Sequence, residues 1–129
     1  MTKLEAVSGQ FEQALQRLSE ALQAPKTDIV RDSAIRRFEF CLDLAWKTVK
    51  AFLEEKQGIR CASSKECFRE AYHHGLIDYT DQWLRFVDMR NETVHTYNQD
   101  LAEKIFSELP AALERMEQLL ITIKNKQLQ

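Results

Sequence analysis

The chain has 129 residues and a formal net charge of −2, with 44% apolar and 29% charged residues. This length fits one domain, which can bury roughly two-thirds of its unfolded surface without covalent staples. The near-neutral charge excludes a bulk polycation, so any contact with nucleic acid must come from a local patch. Only three glycines and two prolines occur, which indicates long helices and few turns. We predict one helical domain spanning residues 1–129.

The cysteines and the N-terminus indicate a compartment. Cys41, Cys61 and Cys67 are an odd number without a C-x-x-C pair, which predicts reduced thiols. Residues 1–5 are amphipathic and do not form a signal-peptide pattern. No apolar run approaches the ~20 residues that span a bilayer. We therefore expect a cytoplasmic protein with reduced cysteines and no membrane contact.

The first two helices are predicted from apolar residues that recur every three or four positions. Helix one spans about residues 4–22. Helix two begins near Asp28 or Asp32, both candidate caps, and stops at Gly58. Its apolar surface is wider than one bundle face needs, which indicates burial on two sides, as in a central helix or an oligomer contact. The residues that widen it are Phe40, Leu44, Trp46 and Leu53.

A short third helix and a fourth helix follow. Ser63 and Glu66 form a capping-box pattern in which each satisfies a backbone donor of the other, so the third helix should begin there. Gly75 should end it. The fourth helix begins near Asp78 or Asp81 and leads into a polar segment.

The last helix runs from about residue 101 to residue 126. A second capping-box pattern, Asp100 to Glu103, predicts its start. Pro110 lies inside it and should kink it or begin a new helix. The sequence shows no strand alternation and no repeat. We therefore predict an all-α, antiparallel up-and-down four-helix bundle with an additional short helix.

The segment from Arg90 to Tyr97 is the richest in chemistry. Its Asn, Thr, Val, His and Tyr residues are weak helix formers, so local preference does not explain them. It combines a permanent cation, an amide, an imidazole and a phenol. Arg90, Asn91 and His95 together suit a phosphate, because a guanidinium grips the anion and an imidazole moves protons.

The spacing of Arg90 and His95 limits how they can meet. On a regular helix they point about 140° apart around the axis. They can reach one ligand if the helix bends, if Arg90 uses its full length, or if a second copy of the chain supplies the missing half.

Other polar clusters favour plainer interpretations. The cations of helix two, Arg36, Arg37, Lys47 and Lys50, face the nearby acids Glu39, Asp43 and Glu54. This pattern is typical of a solvated face with i,i+4 pairs. Only Lys47 is kept as a candidate phosphate-binding residue. His73 and His74 match no zinc spacing, and we predict no metal site and no cofactor.

Three segments carry a resemblance to a known family. The motif Arg90-Asn91-x-x-x-His95-x-Tyr97 resembles that of the HEPN superfamily, specifically the HepT-like nucleotidyltransferase substrate-binding proteins. Arg37-Phe38-Glu39-Phe40 with Leu44-Ala45-Trp46-Lys47 resembles the long helix of that family. Phe68-Arg69-Glu70-Ala71 with Gly75-Leu76-Ile77 resembles its middle segment, so the similarity covers nearly the whole chain.

This resemblance implies a dimeric four-helix bundle encoded beside a minimal nucleotidyltransferase. In toxin–antitoxin members the helical protein is a metal-independent ribonuclease, which the nucleotidyltransferase silences by attaching AMP to the tyrosine of the motif. Here the resemblance implies Arg90 and His95 as the catalytic pair, Asn91 as a phosphate or positioning ligand, and Tyr97 as the modified residue. RNA is the implied substrate.

Two hypotheses from different classes stay open. In the first, the chain is a ribonuclease toxin regulated by AMP transfer to Tyr97. In the second, it is a non-catalytic module that binds a substrate for the nucleotidyltransferase or docks with it. Both share the fold and the partner, and the composition does not separate them.

Overall fold

The structure, a computed structural model, describes residues 1–128. Within that range every regular element is helical. The five α-helices are α1 Lys3–Gln23, α2 Asp28–Phe52, α3 Ser64–His73, α4 Asp81–Glu92 and α5 Gln99–Gln127. A π-helical turn, Leu53–Gln57, extends α2, and a 3₁₀ turn, Thr93–His95, follows α4. The predicted all-α bundle is confirmed.

Helix α2 lies at the centre of the bundle, in contact with α1, α3, α4 and α5. The short connection between α1 and α2 makes them antiparallel neighbours. Their apolar stripes, together with that of α5, form one core. Its fully or almost fully buried members include Leu4, Phe11, Leu18, Phe38, Leu42, Val49, Ile105, Leu109, Met116 and Ile123.

The wide apolar surface of α2 is only partly used within one chain. Leu53 is buried, and Leu44 and Trp46 pack half-buried against the core. Phe40 remains 47% exposed, with the Arg36 guanidinium 4.8 Å from its ring centre. No helix among residues 1–128 combines the length and the apolar character that crossing a membrane requires.

The helix caps confirm some expectations and correct others. Ser63 accepts a hydrogen bond from the Glu66 N–H, as predicted for α3, but the Glu66 carboxylate accepts from the Ala62 N–H and not, as predicted, from that of Ser63. The cap of α2 is Thr27, whose hydroxyl accepts from the Val30 N–H, so Asp28 and Asp32 as caps were wrong. Asn98, not Asp100, caps α5 through the Leu101 N–H. In both corrected cases the cap lies earlier in the chain than predicted, at a residue with extended backbone angles.

Pro110 does not divide α5, which runs unbroken from Gln99 to Gln127. Of the two predicted alternatives, a kink or a new helix, the new helix was wrong. A proline inside a helix costs about 3 kcal/mol. Helix α5 buries nine residues along one face, and burial of a single leucine contributes roughly 1.5–3 kcal/mol. Packing therefore outweighs the local penalty, and Pro110 lies on the exposed side.

The prediction that all three cysteines are reduced was wrong for two of them. Cys61 and Cys67 form a disulfide, with their Cα atoms 5.1 Å apart, and Cys41 is a buried free thiol. The capping box explains the meeting of the two. It folds residues before Ser63 back over the first turn of α3, and helical side chains lean toward that N-terminus. Spacing rules for C-x-x-C pairs do not anticipate such a loop.

Candidate functional site

Two threonines of the polar segment, residues 90–97, end α4. The Thr93 hydroxyl donates to the Arg90 carbonyl at 2.7 Å, and the Thr96 hydroxyl donates to the Thr93 carbonyl at 2.8 Å. Such side-chain bonds compete with the regular helix ladder. The α-helix therefore stops at Glu92 and tightens into the 3₁₀ turn that carries His95.

Arg90 is held by an acid from α2. Its Nε donates to Asp43 Oδ1 at 3.1 Å, and its Nη2 donates to Asp43 Oδ2 at 3.2 Å. The hydrogen bonds to Asp43 raise the pKa of Arg90 above its ordinary value, against the opposing effect of burial. The side chain keeps 30% of its surface exposed, so the guanidinium remains charged and accessible.

Arg90 and Asn91 line a groove of about 250 Å³ between α2, the start of α3 and α4. Asp43 and Trp46 form its α2 wall, and Ser64 contributes from α3. The groove therefore combines a cation paired with a carboxylate, an amide, a hydroxyl and an indole, a set that can bind a phosphate next to a flat ring.

His95 and Tyr97 form a second, separate pair. Their rings meet edge to face with centres 6.1 Å apart. Both side chains project into solvent, Tyr97 with 80% of its surface exposed. Neither residue lines the Arg90 groove. Within one chain the structure thus brings Arg90 to Asn91 and His95 to Tyr97, but it does not join the two pairs.

Lys47 is exposed on α2, one turn beyond Asp43, and does not line the groove. Asp43 and Trp46 do line it, although the sequence suggested only a charge-balancing acid and an apolar surface residue. Asp43 lies 47 positions from Arg90, so no local pattern could have paired them. The nearest sequence signal was an acid on the helix that carries the family motif.

Among residues 1–128, no group of three or more His, Cys, Asp or Glu side chains is placed to hold a metal ion. His74 lies 3.6 Å from Glu70, one helical turn away. His73 contacts Tyr72 edge to face, with ring centres 5.7 Å apart. This pair has the same two residue types as the pair of His95 and Tyr97, at a different place on the surface.

Comparison with known proteins identifies the family. The family described as nucleotidyltransferase substrate binding protein like matches residues 6–125. The chain belongs to this family. The expected membership in the HepT-like nucleotidyltransferase substrate-binding proteins is therefore confirmed.

A curated relative of the chain is a probable ribonuclease HepT from Haemophilus influenzae. It is 35% identical over 89 residues, which are 63% of this chain and 61% of that protein. The chain thus spans less than two-thirds of that relative's length. The match lends no established activity to the chain.

Several solved structures share this fold. A Thermus thermophilus protein is 40% identical with a TM-score of 0.84, covering 88% of this chain and 98% of that one. A Haemophilus influenzae structure, described as the fold of a substrate binding domain of a nucleotidyltransferase, is 29% identical with a TM-score of 0.69, covering 94% and 96%. The toxin–antitoxin complex MntA–HepT shares the fold at 20% identity, with a TM-score of 0.77 and coverage of 95% and 97%.

Proposed function

We propose that the chain is the HepT-type partner of a minimal nucleotidyltransferase in a two-gene toxin–antitoxin system, and that it is a metal-independent endoribonuclease. Family membership and the name of the Haemophilus influenzae relative support this assignment. The observation that carries it is the placement of His95 and Tyr97, exposed on the turn that directly follows the Arg90 groove.

The proposed reaction is cleavage of RNA by its own 2′-hydroxyl, which attacks the adjacent phosphate, forms a 2′,3′-cyclic phosphate and expels the 5′-oxygen of the next nucleotide. His95 accepts the proton that the 2′-hydroxyl loses or delivers the proton that the leaving 5′-oxygen gains. Arg90 holds the phosphate and stabilises the added negative charge of the transition state. Asn91 bonds a phosphate oxygen or orients His95, and Lys47 contributes a further cation from α2.

The site is completed by a second subunit. Arg90 lies in α4 and His95 on the 3₁₀ turn that follows it, and the groove of one chain is lined by Arg90 but not by His95. In the proposed twofold dimer the turn of one chain lies beside the groove of the other, so that each site takes one residue from each subunit. We therefore propose a homodimer with composite sites.

Tyr97 is the proposed target of AMP transfer. Its ring is 80% exposed, so a nucleotidyltransferase could reach the hydroxyl. AMP would add a charged, bulky group within a few ångströms of the His95 ring. Like charge and bulk at that place would keep an RNA phosphate from the imidazole.

A second candidate function is a non-catalytic subunit that binds a nucleotide or another substrate for the nucleotidyltransferase. One observation favours it. The groove with Arg90 and Asn91 is formed within one chain, without His95, and suits a phosphate-bearing ligand that is bound rather than cleaved. The partner and the fold are the same in both proposals.

Induced expression tests the ribonuclease. The wild-type chain should arrest growth and cleave cellular RNA, and His95→Ala should do neither. His73→Ala is the matched control, because it removes another exposed histidine that also packs on a tyrosine. This control should stay toxic. If wild type and His95→Ala are equally harmless while the chain still binds the nucleotidyltransferase, the non-catalytic function replaces the first.

Intact mass tests the modification. Incubation with the neighbouring nucleotidyltransferase, ATP and Mg²⁺ should add one AMP to the wild-type chain and to Tyr72→Phe, but not to Tyr97→Phe. Tyr72 is a suitable control because it is also exposed and also contacts a histidine. An AMP gain that survives Tyr97→Phe would assign the modification to another residue.

A further inference from the structure

The contact between the Asp43 carboxylate and Arg90 has no role in the chemistry proposed above. Both of its oxygens accept hydrogen bonds from Arg90, one from Nε and one from Nη2. This two-point pairing fixes the plane of the guanidinium and its rotation about the side chain. It occupies one edge of the group. The Nη1 amino group takes no part in the pairing and stays available for another anion.

Stability alone does not account for this pair. Arg90 and Asp43 keep 30% and 38% of their side chains exposed, and ion pairs at such positions add little to folding stability. Arg85 and Glu108 form a comparable pair from the same helix α4, with 50% and 30% exposure. That pair uses a single carboxylate oxygen, Glu108 Oε1, for both nitrogens, so it constrains the guanidinium less.

Electrostatics also argues against a role in affinity. Asp43 lines the same groove as Arg90 and Asn91, so its negative charge opposes an incoming phosphate. A residue selected for tight anion binding would not be a carboxylate. Asp43 must therefore affect the orientation of the Arg90 guanidinium rather than the strength with which the groove attracts a phosphate.

We propose that Asp43 is a positioning residue, which aims the free edge of the Arg90 guanidinium at a phosphodiester lying in the groove beside Asn91 and Trp46. The inference rests on the proposed function and adds to it the residue that orients the phosphate ligand. It predicts opposite effects on binding and on turnover. Loss of the carboxylate removes repulsion but also releases the guanidinium from its productive direction.

The test uses purified full-length chain, Asp43→Asn, and a short single-stranded RNA. Misplacement of a catalytic group by about 1 Å can lower a rate roughly 100-fold, so kcat of Asp43→Asn should fall by about that factor while KM stays equal or decreases. In an Arg90→Ala background Asp43→Asn should cause no further loss, because Asp43 acts through Arg90. A general folding defect would lower the rate in both backgrounds.

Glu108→Gln is the matched control, since it breaks an arginine–carboxylate pair of the same helix away from the groove. It should leave kcat and KM unchanged. If Asp43→Asn retains the wild-type kcat, the positioning role is refuted. If Asp43→Asn is faster than wild type, Asp43 restrains Arg90 instead, and the proposal is equally overturned.

A second measurement separates this inference from the ribonuclease itself. The probe is a 2′-O-methyl dinucleotide, a phosphodiester that cannot be cleaved, followed through the Arg90 Nε–H and Nη–H signals by nuclear magnetic resonance. In the wild type the Nε–H signal should be sharp, and the probe should shift the Nη signals. Asp43→Asn should broaden the Nε–H signal and bind the probe at least as tightly.

A wild-type chain that cleaves no RNA but gives these signals would refute the ribonuclease and leave Asp43 as the residue that orients a bound phosphodiester. A probe that does not shift the Arg90 signals of the wild type, or an Nε–H signal that is the same in both chains, would overturn the inference about Asp43.

Discussion

Cys61 on the connector before α3 and Cys67 in the first turn of α3 show how single residues help to position the groove. Their disulfide closes a short loop around Ser63 and Ser64, and Ser64 lines the groove with Arg90.

The remaining thiol, Cys41, takes no part in this disulfide. Burial raises the pKa of Cys41 to about 12, so almost none of it is the reactive thiolate at neutral pH. Disulfide exchange within the folded chain is thereby disfavoured.

Reduction of the disulfide should lower the free energy of unfolding by about 2 kcal/mol, the loop-entropy value for a ring of this size. Urea denaturation with and without a dithiol reductant measures the difference. Cys61→Ser with Cys67→Ser is the control chain, on which the same reductant should have no effect. An equal response of both chains, or none in the wild type, would mean that the two cysteines are not paired in solution.

At the scale of elements, a buried arginine joins the start of α2 to the start of α5. The Arg31 side chain is only 3% exposed. It donates to Glu103 at 3.0 Å and to Gln99 at 2.7 Å, both in the first turns of α5. Lys26 donates to the other Glu103 oxygen. Because α5 begins directly after the segment with His95 and Tyr97, this cluster also anchors the far end of the proposed active turn.

The hydrogen bonds from Lys26 and Arg31 lower the pKa of Glu103 below its ordinary value of 4.5. A lowered folded-state pKa stabilises the fold above the unfolded value, and this contribution is lost as the pH falls through the folded value. Glu103→Gln should therefore reduce the melting temperature at pH 7. Its deficit relative to wild type should shrink steadily once the pH drops below 4.5.

Glu108→Gln provides the comparison, because Glu108 pairs with the surface residue Arg85, which is 50% exposed. Melting curves from pH 7 down to acid conditions should show a smaller deficit for it than for Glu103→Gln. A deficit of Glu103→Gln that stays constant over this range would show that the charge of Glu103 does not stabilise the fold.

At the scale of the whole molecule, the separation of Arg90 from His95 within one chain has a consequence for how the subunits assemble. One chain offers a groove with a cation and an amide, and separately an imidazole beside a phenol. If each site takes Arg90 from one subunit and His95 from the other, two inactive variants can restore each other. A mixed dimer of Arg90→Ala and His95→Ala then contains one intact site and one site that lacks both residues.

Random re-assembly of equal amounts of these variants should recover about a quarter of the wild-type rate, since half of the dimers are mixed and each has one good site of two. The measurement is RNA cleavage after unfolding and refolding the chains together. Separately refolded variants, mixed afterwards at low temperature, are the control and should stay inactive. No recovery in a confirmed mixed dimer would place both residues of a site in the same subunit.

The predictable parts of this protein are those with short-range causes. Helix positions were predicted from apolar spacing. The stop at Gly58 was predicted because glycine tolerates the left-handed conformation that ends a helix, and Gly58 adopts it with φ of +66°. The caps at Thr27 and Asn98 were missed, because several neighbouring polar residues could each have served. Of the two alternatives predicted at Pro110, the start of a new helix was wrong, because the cost of the proline is local while the compensating burial comes from packing against other helices.

The sequence by itself determined the helical fold, the family and the residues of the motif, because periodicity, capping and motif spacing are carried by neighbours along the chain. Only the tertiary structure decided which of these residues meet. The pairing of Arg90 with Asp43 spans 47 positions and that of Arg31 with Glu103 spans 72. Such contacts depend on how whole helices pack and rotate against each other, which no local pattern specifies.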